Sequence, residues 1–265
     1  MGSRLIVSFL CCSLLLGACG HVEETRSARQ EQATEFNQRA QRAFQRGEYL
    51  VAASFYESAL QLDIAVENVN GIAINTLNLA KVNQMLGKTP LAQHYLDSLL
   101  EDKSLHYQPA QLAMAAVQKS LLNLQEDNVS GAVAWVDKAA AFCASDCNLS
   151  GVIDNARASI SLRSNDADKA LYWSERAASE NKGTSPLEYA NSLRLTASAR
   201  LLKNEPDTAL RMLDEALAID KSLGLPEKIR QDLLLSAQAH EVQGHVELAA
   251  QFRDRAERIE ATALK

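Results

Sequence analysis

The chain has few residues that interrupt helices, since its 265 residues include only 11 glycines and 5 prolines, and aromatic residues make up 5%. This composition favours helices over a turn-rich β architecture. It also lacks any cluster of four basic residues, and its formal net charge is −6. Nucleic-acid-binding proteins need a basic footprint, so this balance argues against nucleic acid as a partner. It likewise argues against adhesion to anionic lipid through surface charge alone.

The usual catalytic motifs are also missing. No G-x-S-x-G sequence occurs, and His240 and His245 are five residues apart, whereas the zinc-protease helix motif needs histidines four apart. The segment Gly87–Thr89 resembles the end of a phosphate-binding loop, but Val82 stands where that loop needs its first glycine. We therefore expect no enzyme activity, no cofactor and no metal site.

One alanine recurs along the chain in steps of 40, 40, 38, 39 and 40 residues. This column comprises Ala52, Ala92, Ala132, Ala170, Ala209 and Ala249. A bulky residue follows each alanine by three positions, giving Phe55, Tyr95, Trp135, Trp173, Met212 and Phe252. A residue that tolerates positive φ precedes each by five, giving Gly47, Gly87, Asp127, Asn165, Asn204 and Gly244. The period indicates a stacked repeat, because alanine-rich helices spaced by accident would not reproduce several columns together.

Each unit reads as helix A, a tight turn at the Gly, Asn or Asp residue, and helix B. Small residues in both helices allow their axes to approach closely, and the bulky residue fills the space beside the next unit. One such pair cannot bury its apolar face alone, so the units must stack. We expect the bulky column, including Trp135 and Trp173, to lie in the core.

The first unit carries the small–Gly–Tyr–Ala–aromatic–Ala framework most completely, in Ala40, Gly47–Tyr49, Ala52, Phe55 and Ala59. This framework resembles the tetratricopeptide repeat superfamily over roughly residues 34–262. The chain departs from that family in its period of about 40 rather than 34 residues. The resemblance implies an all-α, right-handed superhelical solenoid of about six antiparallel helix pairs. The expected units are 34–64, 65–105, 106–147, 148–182, 183–223 and 224–262.

The N-terminal sequence predicts that the protein is located in the cell envelope. Arg4 precedes an apolar run from Leu5 to Leu16, which is too short to span a bilayer and matches a secretory signal. The following residues, Leu16–Cys19, resemble the bacterial lipobox, which implies a signal peptide over 1–18 and a lipidated Cys19 carrying diacylglyceryl and acyl chains. The alternative is an ordinary cleaved signal with a coincidental cysteine.

A polar segment separates this anchor from the repeats, and we expect residues 19–33 to be the lipidated cysteine and a tether. Gly20 stands where an aspartate retains Gram-negative lipoproteins in the inner membrane. The absence of aspartate at this position favours the outer membrane, with the chain facing the periplasm.

Two cysteines remain in the repeats, Cys143 and Cys147, at the end of the third helix B. Four residues on a helical turn place their Cα atoms about 6 Å apart, within disulfide range, and an oxidising periplasm favours the bond. The alternatives are a redox pair, which more usually has the C-x-x-C spacing, or a metal site, for which two ligands are too few.

The inner face of the solenoid is expected to be lined by helix A. Its polar candidates are Thr34, Asn37, Gln41, Asn78, Lys81, Gln84, Asn155, Ser159, Asn191, Arg194, Ser198, Gln231 and Gln238. Its apolar candidates are Leu77, Met114, Val117, Leu121 and Leu124. Amides and hydroxyls suit an extended peptide backbone, and an apolar centre suits an anchoring side chain. If the units are rotated by one position, however, the same stripe is ordinary core.

These features predict a lipid-anchored periplasmic scaffold or assembly factor that binds a protein or extended peptide of the cell envelope. The alternative is a sensory or adaptor solenoid that binds a small ligand or peptide. A deep closed pocket with convergent charges would favour the small ligand, and a broad open groove would favour the scaffold.

Overall fold

The computed structural model describes residues 27–144 and 147–263, so the predicted signal peptide and Cys19 lie outside the described residues. Within those ranges every regular element is an α-helix. The helices are α1 (Ala28–Gln45), α2 (Tyr49–Ala65), α3 (Val69–Met85), α4 (Thr89–Glu101), α5 (Pro109–Gln125), α6 (Val129–Phe142), α7 (Ser150–Arg163), α8 (Ala167–Asn181), α9 (Pro186–Leu202), α10 (Pro206–Leu223), α11 (Pro226–Val242) and α12 (Val246–Ala263). They form six consecutive helix pairs, which confirms the predicted all-α solenoid.

The turn column is confirmed at all six positions. Each residue has a left-handed backbone, with φ values of 80° at Gly47, 69° at Gly87, 59° at Asp127, 56° at Asn165, 60° at Asn204 and 78° at Gly244. Three residues separate helix A from helix B in every unit. Such a short left-handed turn ends one helix and reverses the chain into the next.

Small residues hold the two helices of each unit together. The six alanines of the repeated column are fully buried, and so are their partners on helix A, such as Ala40 and Ala197. Larger apolar residues complete the packing, for example Leu96 and Leu213, which are also fully buried. The core is therefore a chain of local clusters between neighbouring helices, as expected of a solenoid.

Helix A lines the inside of the stack. Each helix A contacts helix A of the following unit, from α1 and α3 through to α9 and α11, whereas helices B of neighbouring units approach each other less closely. The stack therefore curves with its A helices on the concave side. None of the helices between Ser27 and Ala263 is both long enough and apolar enough to cross a bilayer.

All five prolines begin helices. Pro90, Pro109, Pro186, Pro206 and Pro226 stand at the first or second helical position of α4, α5, α9, α10 and α11. Proline is favoured there because its fixed φ suits the helix and its missing N–H has no intrahelical acceptor. The prolines therefore mark the start of helices in the middle and C-terminal units.

The first helix is longer than expected. Residues 28–33 were predicted to be tether, but they form the first turns of α1. A capping box begins this helix, in which Ser27 Oγ accepts from Gln30 N at 3.3 Å and Gln30 Oε1 accepts from Ser27 N at 2.8 Å. Ala33 is already buried. Local capping thus outweighs the absence of an apolar period in this segment.

The tryptophans of the bulky column are only partly buried, so their assignment to the core is wrong. The Lys119 and Lys138 ammonium nitrogens lie 4.4 and 3.9 Å from the ring centre of Trp135. The guanidinium carbons of Arg157 and Arg176 lie 4.7 Å from the ring centre of Trp173. Both rings are therefore covered in part by long basic side chains, which shield apolar surface while keeping their charge in water.

Candidate binding groove on the inner face

A groove crosses the A helices of units three to six. It has a volume of about 660 Å³. Its walls come from the C-terminal halves of α5, α7, α9 and α11. The lining residues are Leu124, Gln125, Ser159, Leu162, Arg163, Leu195, Ser198, Leu201, Leu202, Leu235 and Gln238. We refer to this feature as the leucine groove.

The leucine groove is mainly apolar with polar side chains set between the leucines. Leu202 is 48% exposed, although it belongs to a helix that packs against four others. Ser159 and Ser198 donate their hydroxyl hydrogens to Asn155 O at 2.9 Å and Arg194 O at 3.0 Å, the carbonyls one turn earlier. Their oxygens still have acceptor capacity for a peptide N–H.

Sequence reasoning found part of this lining. Leu124, Ser159, Ser198 and Gln238 were among the predicted inner-face residues, and the structure brings them together. Leu195, Leu202 and Leu235 were missed. Leu195 lies one residue after the predicted Arg194, and Leu202 and Leu235 lie one turn after the predicted Ser198 and Gln231, so a slightly wider and longer face would have included them.

A polar cluster lies beside the groove, nearer the N-terminal ends of α7 and α9. The Glu188 carboxylate accepts from Asn155 Nδ2 at 3.1 Å and from Asn191 Nδ2 at 3.2 Å. The side-chain oxygen Oδ1 of Asn155 accepts from the Ser192 hydroxyl at 2.8 Å. The predicted residues Asn155 and Asn191 therefore meet around Glu188, which the sequence did not single out.

Arg194 was predicted to face a partner, but its guanidinium is used inside the protein. It lies only 8% exposed. It donates from Nε to Asp232 Oδ1 at 2.7 Å and from Nη2 to Asp220 Oδ2. A third donor reaches Asn191 Oδ1 at 2.8 Å. Two fully buried carboxylates need a cation, and no other basic group pairs with them in the described residues. Arg194 is therefore held inside the protein and does not face a partner.

The pKa values of these two carboxylates are raised above the ordinary value of an aspartate. Burial raises the pKa of Asp232 to about 6, and Arg194 opposes that rise only in part. Burial also raises the pKa of Asp220. Asp220 Oδ1 and Asp232 Oδ2 have no hydrogen-bond partner. The pair therefore carries a proton more readily than ordinary aspartates do.

Two lysines from other units lie within electrostatic range of Glu188. Lys81 lies on α3 and Lys228 on α11; burial lowers the pKa of both, and the charge of Lys81 contributes to the lowering at Lys228. The negative charge of Glu188 opposes the lowering of the pKa at both lysines.

The N-terminal candidates form a separate feature. Thr34 and Asn37 line a polar cavity of about 760 Å³ between α1 and α3, and Asn37 donates to Asn75 Oδ1 at 2.7 Å. Gln84 donates to Gln125 Oε1 at 3.1 Å and so reaches the edge of the leucine groove. Gln41 is exposed and Asn78 partly buried.

The apolar candidates of units two and three are corrected. Leu77 and Val117 are buried in core clusters between neighbouring helices, where their neighbours leave no surface for a partner. Met114 and Leu121 are partly buried and pack against the same clusters. The predicted apolar centre is thus largely core, and the exposed apolar surface lies one to three units further along.

The cysteine pair lies outside the groove, after α6. Cys143 and Cys147 are joined as a disulfide, with their Cα atoms 5.2 Å apart. In the described part of the chain, no group of three or more side chains is placed to hold a metal ion.

Comparison with known proteins gives the fold and not a family. No protein-family profile and no curated sequence matches the chain. BtubC (BKLC) from P. vanneervenii has a similar structure, with a TM-score of 0.57 and 18% identity over 89% of this chain and 92% of that one. A Rap protein complexed with Competence and Sporulation Factor has a TM-score of 0.61 and 12% identity over 89% of this chain and 67% of that one.

These neighbours and the six helix pairs define the chain as a helical-repeat protein with a tetratricopeptide-like fold. A stack of this kind presents a long concave face.

Proposed function

We propose that the protein is a binding scaffold that holds an extended segment of another protein of the cell envelope in the leucine groove. The observation that carries this proposal is the row of leucines across four successive A helices, of which Leu162, Leu195, Leu202 and Leu235 are partly exposed, interspersed with hydroxyl and amide groups. Apolar side chains of a partner would supply affinity, at about 1.5–3 kcal/mol for each one fully buried. Ser159, Ser198 and Gln238 would fix the backbone of the segment.

The shape of the groove favours a protein segment over a small molecule. The groove crosses four units and is open to solvent, whereas small-molecule sites usually enclose most of their ligand. The Rap neighbour was solved with a bound factor, which is consistent with ligand binding by this fold. A sensory role for a small ligand remains the second candidate, favoured only by the charged cluster around Glu188.

Replacing a leucine at the open edge tests the proposal. Leu202→Asp places a charge where the partner's apolar side chain should lie. Leu248→Asp is the matched control, because Leu248 is 41% exposed and lies on α12. After chemical crosslinking in native membranes, we expect Leu202→Asp to lose a captured species that wild type and Leu248→Asp retain. Equal capture by all three proteins would contradict the proposal.

We further propose that the protein is anchored in the outer membrane, facing the periplasm, through lipid on Cys19. The supporting observations are the lipobox-like Leu16–Cys19 and the residue Gly20. Cys19→Ser should release the protein into the soluble periplasmic fraction, whereas Cys143→Ser should leave it with the membranes. A Cys19→Ser protein that still fractionates with outer membranes would refute the anchor.

A further inference from the structure

A buried polar junction recurs between successive units of the stack. It consists of one side chain on helix A, one at the end of helix B of the same unit, and one on helix A of the next unit. These positions lie fifteen residues before the repeated alanine, eleven residues after it, and seventeen residues before the alanine of the next unit. The residues are Asn37, Asp63 and Asn75 between units one and two, Asn155, Asn181 and Ser192 between units four and five, and Arg194, Asp220 and Asp232 between units five and six.

The first junction joins helix B of unit one directly to helix A of unit two. Asn75 Nδ2 donates to Asp63 Oδ2 at 2.8 Å, and both side chains are buried. Asn37 Nδ2 donates to Asn75 Oδ1 at 2.7 Å. A neutral amide therefore supplies the hydrogen that connects the two units.

The junction between units four and five is built in the same way. Asn181 Nδ2 donates to Ser192 Oγ at 3.2 Å, which again joins the end of helix B to the next helix A. The Ser192 hydroxyl donates to Asn155 Oδ1 at 2.8 Å. Here too the connecting hydrogen belongs to a neutral side chain.

The junction between units five and six has acids at both of these positions. Arg194 donates from Nε to Asp232 Oδ1 at 2.7 Å and from Nη2 to Asp220 Oδ2. Nε and Nη2 are neighbouring nitrogens on one edge of the guanidinium, so the two acceptors lie side by side. The remaining oxygens, Asp220 Oδ1 and Asp232 Oδ2, are buried and have no hydrogen-bond partner among the described residues. The direct bond of the other two junctions thus lacks its hydrogen here.

A cation small enough for this site would remove the deficit. With both acids ionised, two negative charges face one guanidinium at side chains that are 0% exposed, which is costly. Neither acid lines the leucine groove or the polar cavity. Among the described residues no group of three side chains is placed to hold a metal ion. A proton is the cation that fits, and it provides the missing donor.

We propose that Asp220 and Asp232 share one proton, taken up under mildly acidic conditions, which completes the junction and tightens the sixth unit against the fifth. The shared hydrogen joins Asp232 Oδ2 to Asp220 Oδ1, as the Asn75 amide does with Asp63. Helices α9 and α11 also carry Leu195 and Leu235, so this junction holds part of the leucine groove in place. The inference does not depend on what the groove binds.

The surrounding charges favour Asp232 as the donor. Burial raises the pKa of Asp232 to about 6; Arg194 opposes this rise, and the bond to Asp220 adds to it. At Asp220 burial also raises the pKa, but Arg194, the bond to Asp232 and the charge of Lys228 on α11 oppose the rise. Helix α12 packs on α11 as well, and its Glu260 lies 4.0 Å from a different basic side chain. The proton therefore resides mainly on Asp232, with Asp220 as its acceptor.

Asparagine replacements test the shared proton. Asp232→Asn places an amide donor where unit two has Asn75, and Asp220→Asn places one where unit four has Asn181. Either variant should complete the junction without a proton. Asp214→Asn is the control, since Asp214 is exposed on α10. Hydrogen–deuterium exchange of the α11 and α12 amides at pH 7 and pH 5, corrected for the intrinsic exchange rate at each pH, reports the stability of the sixth unit.

We expect protection to rise about tenfold from pH 7 to pH 5 in wild type and in Asp214→Asn, because one proton with a folded-state pKa of about 6 is taken up over this interval. Asp232→Asn and Asp220→Asn should lack this rise and should be protected at pH 7 as wild type is at pH 5. A wild-type protein that is equally protected at both pH values, or a tenfold rise that persists in either variant, would overturn the inference.

Infrared difference spectra at pH 5 provide a second measurement. The carbonyl band of a protonated carboxyl group should be present in wild type and lost in both single variants, because each removes one of the two acids that share the proton. A proton held by Asp232 alone would keep its band in Asp220→Asn, and that result would contradict the shared bond. Circular dichroism shows whether each variant is folded, and the wild-type exchange data decide the matter if one is not.

Discussion

Arg194 Nε donates to Asp232 Oδ1 at 2.7 Å, and this contact joins the fifth helix A to the sixth. The same guanidinium bonds to Asp220, which ends the helix B between them. One cation therefore connects three consecutive helices inside the stack. Because both carboxylates are fully buried, the junction depends on their charge state.

The first prediction concerns pH. The pKa of Asp232 is raised by burial from 3.8 to about 6 in the folded protein. Between these values the folded state binds more protons than the unfolded state, so this group stabilises the fold as pH falls from 7 toward 4. Asp220 contributes in the same direction. Asp232→Asn should therefore weaken the gain in stability between pH 7 and pH 5.

Urea unfolding at the two pH values measures this gain. Asp214→Asn is the control, since Asp214 is exposed on α10 and should leave the pH dependence as in wild type. If the free energy of unfolding of Asp232→Asn changes between pH 7 and pH 5 as much as that of wild type, the raised pKa does not belong to Asp232.

The second prediction concerns a close approach between units one and two. A Cβ on Gly71 would lie 2.3 Å from Oδ2 of Asp63. Asp63 cannot easily move away, because it is buried and accepts from Asn68 Nδ2 at 2.6 Å and from Asn75 Nδ2 at 2.8 Å. In an ordinary helix Gly→Ala stabilises by about 1 kcal/mol. Here we expect Gly71→Ala to destabilise by about 1–3 kcal/mol.

A double-mutant cycle with Asp63→Ala checks the cause. In that background the space beside Gly71 is empty, so Gly71→Ala should become neutral or stabilising. Additive losses would show that the carboxylate is not what Gly71 accommodates.

The third prediction concerns the turn column. Asn204 has a φ of 60°, a conformation that costs alanine about 1–2 kcal/mol. Asn204→Ala should lower the free energy of unfolding by about 1 kcal/mol, whereas Asn204→Gly should leave it unchanged or raise it. Thermal unfolding of the two variants decides the question. Equal melting temperatures would mean that the turn does not require the left-handed conformation.

The fourth prediction concerns Cys143 and Cys147. If the proposed processing removes residues 1–18 and places lipid on Cys19, no thiol of the remaining chain should react with a maleimide under denaturing conditions unless a reductant is added. The loop that the disulfide closes is very short, so the bond should contribute at most about 2 kcal/mol. Reduction should therefore lower the melting temperature only slightly. A free thiol in the unreduced protein, detected by mass spectrometry, would rule out the disulfide.

The sequence predicted the repeat well because its signals are local. A left-handed turn at Asn204 or Gly47 depends on the residue itself, and the packing of Ala52 depends on its near neighbours in the chain. Period and unit order follow directly from such positions. The start of α1 was missed because the capping pair Ser27 and Gln30 carries no apolar signal.

The binding surface was predicted less well, because it depends on the curvature of the whole stack. Leu77 has the spacing of an inner-face residue, yet the next unit covers it. Leu202 lies at the end of its helix and remains exposed. The leucine groove is built from four units. Contacts at that distance arise from small rotations between units, which no local pattern specifies.

The most direct test of the account is site-specific photo-crosslinking in native membranes. A photoreactive residue at Ser198 lies in the leucine groove, and the same residue at Gln251 on α12 is an exposed control outside it. We predict that Ser198 captures one envelope protein through a defined segment and that Gln251 does not. Capture of the same protein at both positions, or at Gln251 alone, would contradict the assignment of the groove as the binding site.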